Sequence, residues 1–185
     1  MTHPSSDAGT PTTFVSGWLS PQDYSGDVRY RAPSRVYGRL SRWIGVPLTS
    51  LGLAPRHAVT LEVPGRRTGR PRRNPVLVTT FDGTEYLVSL AGESEWVRNV
   101  RAAGGRAVLH RSGARAVQLV ELPPDSRAPV LAAYQAAGAA RSGEEAARVQ
   151  ARFNFGLGPE PTQADFNRIA HRYPVFRVDD RFLEG

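Results

Sequence analysis

The chain has 185 residues, of which 24 are basic and 17 acidic, giving a formal net charge of +7. All the basic residues are arginines, and the absence of lysine excludes lysine Schiff-base chemistry, the usual attachment of pyridoxal phosphate and a Walker-type phosphate loop. Cysteine is also absent, which excludes disulfides, thiol nucleophiles and thiolate metal sites. The four histidines lie far apart in the sequence, so we expect no metal site.

The first 32 residues are rich in Ser, Thr, Pro, Gly and Asp, a composition typical of a flexible N-terminal arm. They lack the basic start and apolar centre of a signal peptide, and no apolar run reaches the roughly 18 residues that span a bilayer. We therefore expect a cytoplasmic protein with one domain over residues 33–185. Peripheral contact with the inner face of the membrane remains an open alternative.

Residues 33–48 have the spacing of an amphipathic helix that begins near Pro33. The apolar side chains that share one face are Val36, Tyr37, Leu40, Trp43 and Ile44, and the basic ones on the opposite face are Arg35, Arg39 and Arg42. Two interpretations are open. The helix packs on the core with a solvated basic back, or its basic face lies at a membrane surface.

Strand signals follow at regular intervals. Residues 57–63 alternate, with Val59, Leu61 and Val63 on one face, and Asp82 with Gly83 is typical of a tight hairpin turn. The predicted strands are 57–63, 75–81, 84–90, 106–110, 114–122 and 174–178, and the further predicted helices are 93–105, 125–152 and 164–170. Because hairpins join the strands, the sequence predicts a mainly β fold with flanking helices, either a small antiparallel barrel or a curled sheet.

The stretch GRRTGRPRRNP at residues 65–75 carries five arginines. Its glycines allow close approach of a ligand to the backbone, Thr68 offers a hydroxyl, and the guanidinium groups suit phosphate or carboxylate oxygens. Three interpretations are open: a solvated loop, a nucleic-acid patch, or a binding site for a small anion. No aromatic residues are interleaved with the arginines as stacking platforms, so we expect no nucleic-acid partner.

The ordered stretch LEVPGRRTGRPRRNPVLVTTFDGTEYLVSLAGESEWVRNVRAAG at 61–104 resembles the deazaflavin-dependent nitroreductase and quinone reductase family. Members of that family are split β-barrel proteins that use coenzyme F420. The resemblance rests on the order of a strand, the Arg-rich motif, a hairpin with Asp-Gly and a helix with Trp-x-x-Asn, and it extends more loosely over 33–178. It implies a split β-barrel of the kind that binds flavin mononucleotide (FMN).

The resemblance also implies four groups of coenzyme-binding residues. Those that hold the phosphate and acidic tail are Arg66, Arg67 and Thr68. The stretch that runs from the tail towards the ring consists of Arg72, Arg73, Asn74, Pro75, Val76 and Leu77. The strand end beside the ring consists of Ser89, Leu90, Ala91 and Gly92, and the helix start that closes the site consists of Trp96, Val97, Arg98 and Asn99.

The implied activity is hydride transfer from reduced coenzyme F420 (F420H2) to a small acceptor such as a quinone or a nitroaromatic. An FMN-dependent oxidoreductase and a non-catalytic coenzyme-binding protein are the alternatives. No side chain is assigned as catalytic, and both a monomer and a homodimer are compatible with the sequence. Some relatives shape the acceptor pocket with several tyrosines of the later helical region. The aromatic residues of that region here are Tyr134, Phe153, Phe155 and Tyr173, so the choice of acceptor stays open.

Overall fold

A computed structural model describes residues 57–180 of the chain. The predicted arm at 1–32, the predicted helix at 33–48 and its proposed membrane contact lie outside the described residues. The proposed domain boundary at residue 33 lies outside them too and stays a prediction. Within residues 57–180, none of the helices is long and apolar enough to cross a membrane.

Six antiparallel strands close into a barrel in the order β1-β2-β3-β6-β5-β4. Their bounds are β1 Ala58–Pro64, β2 Pro71–Phe81, β3 Thr84–Val88, β4 Arg106–His110, β5 Ala114–Glu121 and β6 Val175–Asp180. The prediction of a mainly β barrel with flanking helices is confirmed. Because the sheet closes on itself, strands that pair with a neighbour on both sides have no free edge.

Four α-helices complete the described part of the chain: α1 Glu95–Ala102, α2 Ala128–Ser142, α3 Glu144–Gln150 and α4 Gln163–Ile169. The continuous helix predicted over 125–152 is interrupted at Gly143, whose φ of 83° lies outside the helical region. A π-helical turn at Ala151–Phe155 follows α3. The helix α1 begins two residues after the start of the predicted range, and it ends at Ala102 because Gly104 and Gly105 both adopt positive φ.

The predicted hairpin turn is present between β2 and β3. Asp82 and Gly83 have φ values of 48° and 72°, and Phe81 pairs with Thr84 across the turn. Positive φ at both central residues is the conformation that matches the twist of the flanking strands. The local sequence therefore fixes the register of this hairpin.

The barrel interior holds the first hydrophobic cluster. Val59, Leu61 and Val63 of β1 point into it, and Val97 and Val100 of α1 pack against them. Because Leu61, Val63 and Val97 are fully buried, each contributes about 1.5–3 kcal/mol through the removal of apolar surface from water. This packing fixes α1 at one end of the barrel, next to the end of β1.

A second cluster lies between the outer face of β2 and β3 and the later helices. Phe155 makes edge-on contacts with Tyr134, Phe166 and Tyr173, at centroid distances of 6.3, 5.6 and 5.2 Å. Tyr134, Phe155 and Tyr173 are all buried in this cluster. Their aromatic rings stabilise the packing of the helices on the barrel.

The strand β2 begins four residues earlier than predicted. Residues 71–77 pair with β1, from Pro64 opposite Pro71 to Ala58 opposite Leu77, whereas pairing with β3 begins only at Val78. The early part of β2 thus has one side that pairs with no strand in the described part of the chain, and a proline is tolerated at such an edge. Half of the arginine-rich stretch is therefore strand and half is turn.

Candidate functional site

A cleft of about 780 Å³ lies where the end of β1, the turn at 65–70 and the start of β2 face the first turns of α1. Its lining residues are Glu62, Gly65, Arg66, Arg67, Thr68, Pro71, Arg72, Arg73, Asn74, Glu95 and Asn99. Four of the five arginines of the sequence motif line it, and Arg70 does not. The volume is in the range typical of cofactor and substrate pockets.

The turn is held by its own backbone. The N–H of Gly65 donates to the carbonyl of Arg70 at 2.9 Å, and the N–H of Gly69 donates to the carbonyl of Gly65 at 2.7 Å. Gly69 has a φ of 67°, a conformation that glycine adopts without strain. Because these bonds close the turn internally, the side chains of Arg66, Arg67 and Thr68 are left to line the cleft.

Gly65 leaves space for Arg72. A Cβ atom at position 65 would lie 3.2 Å from both Cγ and Nε of Arg72 and 3.2 Å from the carbonyl oxygen of Arg70. These distances are shorter than ordinary van der Waals contacts, so a larger residue would require the Arg72 side chain and the Arg70 carbonyl to shift by a few tenths of an ångström. The glycine thus allows the Arg72 side chain to pass directly over the turn.

Arg66 is bound to α1 through both its backbone and its side chain. Its guanidinium donates to the two carboxylate oxygens of Glu95 at 2.8 and 3.3 Å. The Oδ1 atom of Asn99 accepts from the Arg66 backbone N–H at 3.2 Å and from its guanidinium at 3.1 Å. The hydrogen bonds from Arg66 hold the pKa of Glu95 below its usual value, so this carboxylate is charged at neutral pH.

Arg73 is paired across the β1–β2 ladder. It lies opposite Glu62, and its Nε donates to the Glu62 carboxylate at 2.6 Å. The Nε2 atom of His110 on β4 lies 3.2 Å from the same carboxylate. The hydrogen bond from Arg73, followed by the nearby charges of Arg73 and His110, lowers the pKa of Glu62.

Arg67 and Arg72 differ from Arg66 and Arg73. Neither makes an ion pair with any residue in the described range 57–180. Two of the four cleft arginines are therefore neutralised by Glu62 and Glu95, and two offer their hydrogen-bond donors to a ligand. Guanidinium groups in this state bind phosphate and carboxylate oxygens well. The positively charged part of the cleft is centred on Arg67 and Arg72, with the Thr68 hydroxyl between them in sequence.

The cleft contains only part of the predicted site. Arg66, Arg67, Thr68, Arg72, Arg73, Asn74 and Asn99 line it, whereas Pro75, Val76, Leu77, Ser89, Leu90, Ala91, Gly92, Trp96, Val97 and Arg98 do not. Val76 packs against the barrel core, and Leu77 and Leu90 pack in the second cluster. Contact of these residues with the ring of a coenzyme stays a prediction.

The segment after β3 is held in a tight loop. The Ser89 hydroxyl donates to the carbonyl of Gly92 at 2.7 Å and lies 3.1 Å from the Ser94 hydroxyl. The Ser89 N–H donates to the carbonyl of Pro174, and the Gly92 N–H donates to the carbonyl of Ser89. This loop leads directly into α1, so its position is coupled to that of Glu95 and Asn99.

Two other predicted site residues of α1 belong to the barrel packing. Val97 is fully buried in the barrel core. Trp96 packs its ring on Phe176 of β6, with centroids 5.5 Å apart. Their immediate function is to fix the helix on the barrel.

Two acidic residues of the cleft were not predicted from the sequence. Glu62 alternates with Leu61 and Val63, so it faces outwards, where it meets Arg73 on the neighbouring strand. Glu95 precedes Asn99 by four residues, a spacing that places both on one helix face. The available signals were therefore an outward carboxylate next to an arginine-rich strand and the Glu-x-x-x-Asn spacing.

Comparison with known proteins gives one family and several structures. The family model described as F420H(2)-dependent quinone reductase matches residues 30–149. No curated protein matches the sequence.

Among solved structures, the conserved hypothetical protein Rv2991 from Mycobacterium tuberculosis is 16% identical to this chain. The match covers 71% of this chain and 77% of the Rv2991 chain, with a TM-score of 0.42. An F420-H2 dependent reductase (FDR-A) is 19% identical, with coverages of 67% and 95% and a TM-score of 0.37. The heme storage protein HutZ from Vibrio cholerae is 10% identical, with coverages of 69% and 84% and a TM-score of 0.42.

Proposed function

The chain belongs to the F420H(2)-dependent quinone reductase family, and from this we propose that its hydride acceptor is a quinone. It is an oxidoreductase that uses reduced coenzyme F420 and a small-molecule acceptor. Reduction of nitroaromatics, the other activity implied by the sequence, stays a prediction that the same assay tests.

The use of coenzyme F420 is supported most strongly by two arginines of the cleft, Arg67 and Arg72. The tail of the coenzyme carries a phosphate and acidic groups, and neither guanidinium makes a hydrogen bond or ion pair with a carboxylate within 57–180, although the Glu95 charge lies near Arg67. A ligand with several negative charges therefore fits the donor set of this cleft. An uncharged ligand would leave both cations without a partner.

We assign the tail to Arg67, Thr68 and Arg72, with Arg66 and Arg73 as further cations on either side. When bound, the reduced deazaflavin supplies the hydride. The chain's own contribution is to hold the tail and to orient the ring. The rigid turn at 65–70 serves the first task because its backbone bonds leave little freedom to lose on binding.

We assign the second task to the loop after β3. Its Ser89 and Gly92 N–H groups already donate within the protein, so the N–H groups of Leu90 and Ala91 are our candidates for contacts with the ring. Fixed backbone dipoles at this point would stabilise charge that develops during hydride transfer. The short Ser89–Gly92 bond would keep these dipoles in place.

The proposal is tested by oxidation of F420H2 by the purified full-length chain. A naphthoquinone and a nitroaromatic are compared as acceptors, and reduced FMN is offered in place of F420H2. We expect turnover with F420H2 and the quinone at a higher kcat/KM than with the nitroaromatic. Turnover with reduced FMN alone would favour the FMN-dependent alternative. Tight binding of F420 without turnover of either acceptor would favour a non-catalytic coenzyme-binding protein.

A further inference from the structure

The carboxylate of Glu95 lies on the Arg66 guanidinium at the wall of the cleft, with contacts of 2.8 and 3.3 Å. This is the two-contact arrangement in which a guanidinium binds a phosphate or carboxylate of a ligand. We infer that Glu95 is an internal competing anion on Arg66, which a ligand with several negative charges must displace before it can use this arginine. This inference rests on the proposed function, since it names a specificity-determining residue of the same cleft.

The competition is possible because the pair is weakly shielded. The Glu95 side chain is 63% exposed and that of Arg66 is 30% exposed. Ion pairs with this exposure contribute little net stability, since water and salt screen them. A second anionic group of a ligand whose first group is already held by Arg67 and Arg72 can therefore replace the Glu95 carboxylate on Arg66.

Glu95 has a second cation within reach. Arg98 lies one helical turn further on α1, and its guanidinium is 3.6 Å from the Glu95 carboxylate. Residues three apart on a helix face each other, so Glu95 can shift towards Arg98 without a change in the backbone. The displaced carboxylate would then remain paired.

A hydrogen bond to Asn99 holds the backbone of the turn while the Arg66 and Glu95 side chains change partners. Its Oδ1 accepts from the Arg66 backbone N–H at 3.2 Å, and Asn99 is buried, with 6% of its surface exposed. This bond does not involve the Glu95 carboxylate. The backbone of the turn therefore stays bound to α1 when the Arg66 guanidinium changes its partner.

The consequence is a cost that depends on the number of anionic groups in the ligand. A ligand with one anionic group binds at Arg67 and Arg72 and does not need to displace Glu95. A ligand with two or more anionic groups, spaced along a tail, binds Arg67 and Arg72 with one group and Arg66 with the next. Glu95 thus lowers the affinity of the second class, which must displace it, and has little effect on the first.

The test compares wild type with Glu95→Gln, using inorganic pyrophosphate as a ring-free probe and coenzyme F420 as the second ligand. Glu85→Gln is the matched control, because Glu85 also pairs with an arginine, Arg115, but lies outside the cleft. We expect Glu95→Gln to bind pyrophosphate about fivefold more tightly, the ratio that corresponds to one exposed ion pair. The control should change the affinity less than twofold.

The same comparison is repeated in an Arg66→Gln background. If Glu95 acts mainly by competing for Arg66, most of the gain from its replacement is lost once Arg66 is gone, and only the weaker effect of the Glu95 charge on nearby Arg67 remains. An equal gain in both backgrounds would mean a general charge effect and would overturn the inference, as would no gain or no measurable pyrophosphate binding. Failure of F420 to bind while the pyrophosphate pattern holds would instead refute the proposed function and leave the role of Glu95 intact.

Discussion

Asn99 accepts two hydrogen bonds from Arg66, one from the backbone N–H at 3.2 Å and one from the guanidinium at 3.1 Å. This one amide joins the arginine turn to α1, and α1 is in turn fixed in the barrel by Val97 and Val100. The cleft wall is therefore supported by the hydrophobic core. Both the stability of the barrel and the shape of the cleft depend on this link.

Replacement of Asn99 by alanine should lower the free energy of unfolding by about 0.5–1.5 kcal/mol, because it removes the acceptor of the partly buried Arg66 N–H. Urea denaturation of the two proteins measures the difference. Asn167→Ala is the control, since Asn167 is exposed on α4 and makes only a long 3.4 Å contact with Gln163. Equal effects of the two substitutions would show that Asn99 does not anchor the turn.

Gly65→Ala should weaken binding of the coenzyme by roughly tenfold, since the new Cβ would lie 3.2 Å from Arg72 and force its guanidinium away from the ligand. The dissociation constant is measured by titration of each variant. Gly113→Ala in the β4–β5 turn is the matched control, because nothing lies within 4 Å of a Cβ there. If both variants bind as wild type does, Gly65 is not needed for the position of Arg72.

The Glu62–Arg73 pair should make stability depend on pH in the acid range. Because the hydrogen bond from Arg73 lowers the pKa of Glu62 in the folded protein, its contribution is present above the unfolded pKa of roughly 4.3 and is lost as the pH falls through the lower folded pKa. The free energy of unfolding should therefore be higher for wild type than for Glu62→Gln at pH 7. This difference, the gap between the two proteins, should disappear at acid pH.

Urea denaturation at a series of pH values measures that gap. Glu145→Gln is the control, because the Glu145 side chain is 89% exposed and its contact with Arg148 is 3.7 Å long. A gap for Glu62→Gln that stays constant from neutral to acid pH would contradict the pairing with Arg73.

Arg127 is a structural arginine that should be separable from the ligand-binding ones. Its side chain is 8% exposed and donates to the carbonyl of Leu122 at 2.8 Å and to Glu121 at 3.1 Å. Arg127→Met removes the donor to the Leu122 carbonyl, whereas Glu121 keeps its hydrogen bonds from Arg101, and the change should lower the free energy of unfolding by about 1–3 kcal/mol. Arg168→Met, at a 70% exposed site, should change it by less than about 0.5 kcal/mol. Similar losses in the two variants would argue against a buried role for Arg127.

The sequence was most informative where local rules decide the structure. The alternation of Val59, Leu61 and Val63 predicted β1, and Asp82 with Gly83 predicted the β2–β3 turn, because both features depend on neighbouring residues alone. Because of Pro71 and Pro75, the sequence did not predict the first four residues of β2. A proline is compatible with a strand that has an unpaired side, and sequence alone does not show which strands have one.

The sequence predicted the arginines of the cleft but not the carboxylates that pair with two of them. Glu62 and Glu95 neutralise Arg73 and Arg66 through contacts between residues 11 and 29 positions apart. Such contacts depend on the strand register and on the packing of α1. Neither can be derived from local sequence patterns. The same limit applies to the aromatic contacts of Phe155 with Tyr134 and Tyr173, which join residues that lie apart in the sequence.

The central claim is that Arg67 and Arg72 hold the anionic tail of the coenzyme, and titration of F420 into the Arg67→Gln, Arg72→Gln double variant tests it most directly. Loss of two charge-assisted contacts predicts at least a roughly hundredfold weaker affinity than that of wild type. Arg70→Gln is the matched control from the same turn, outside the cleft, and should bind within about twofold of wild type. A double variant that binds F420 as tightly as the Arg70→Gln control would contradict the account.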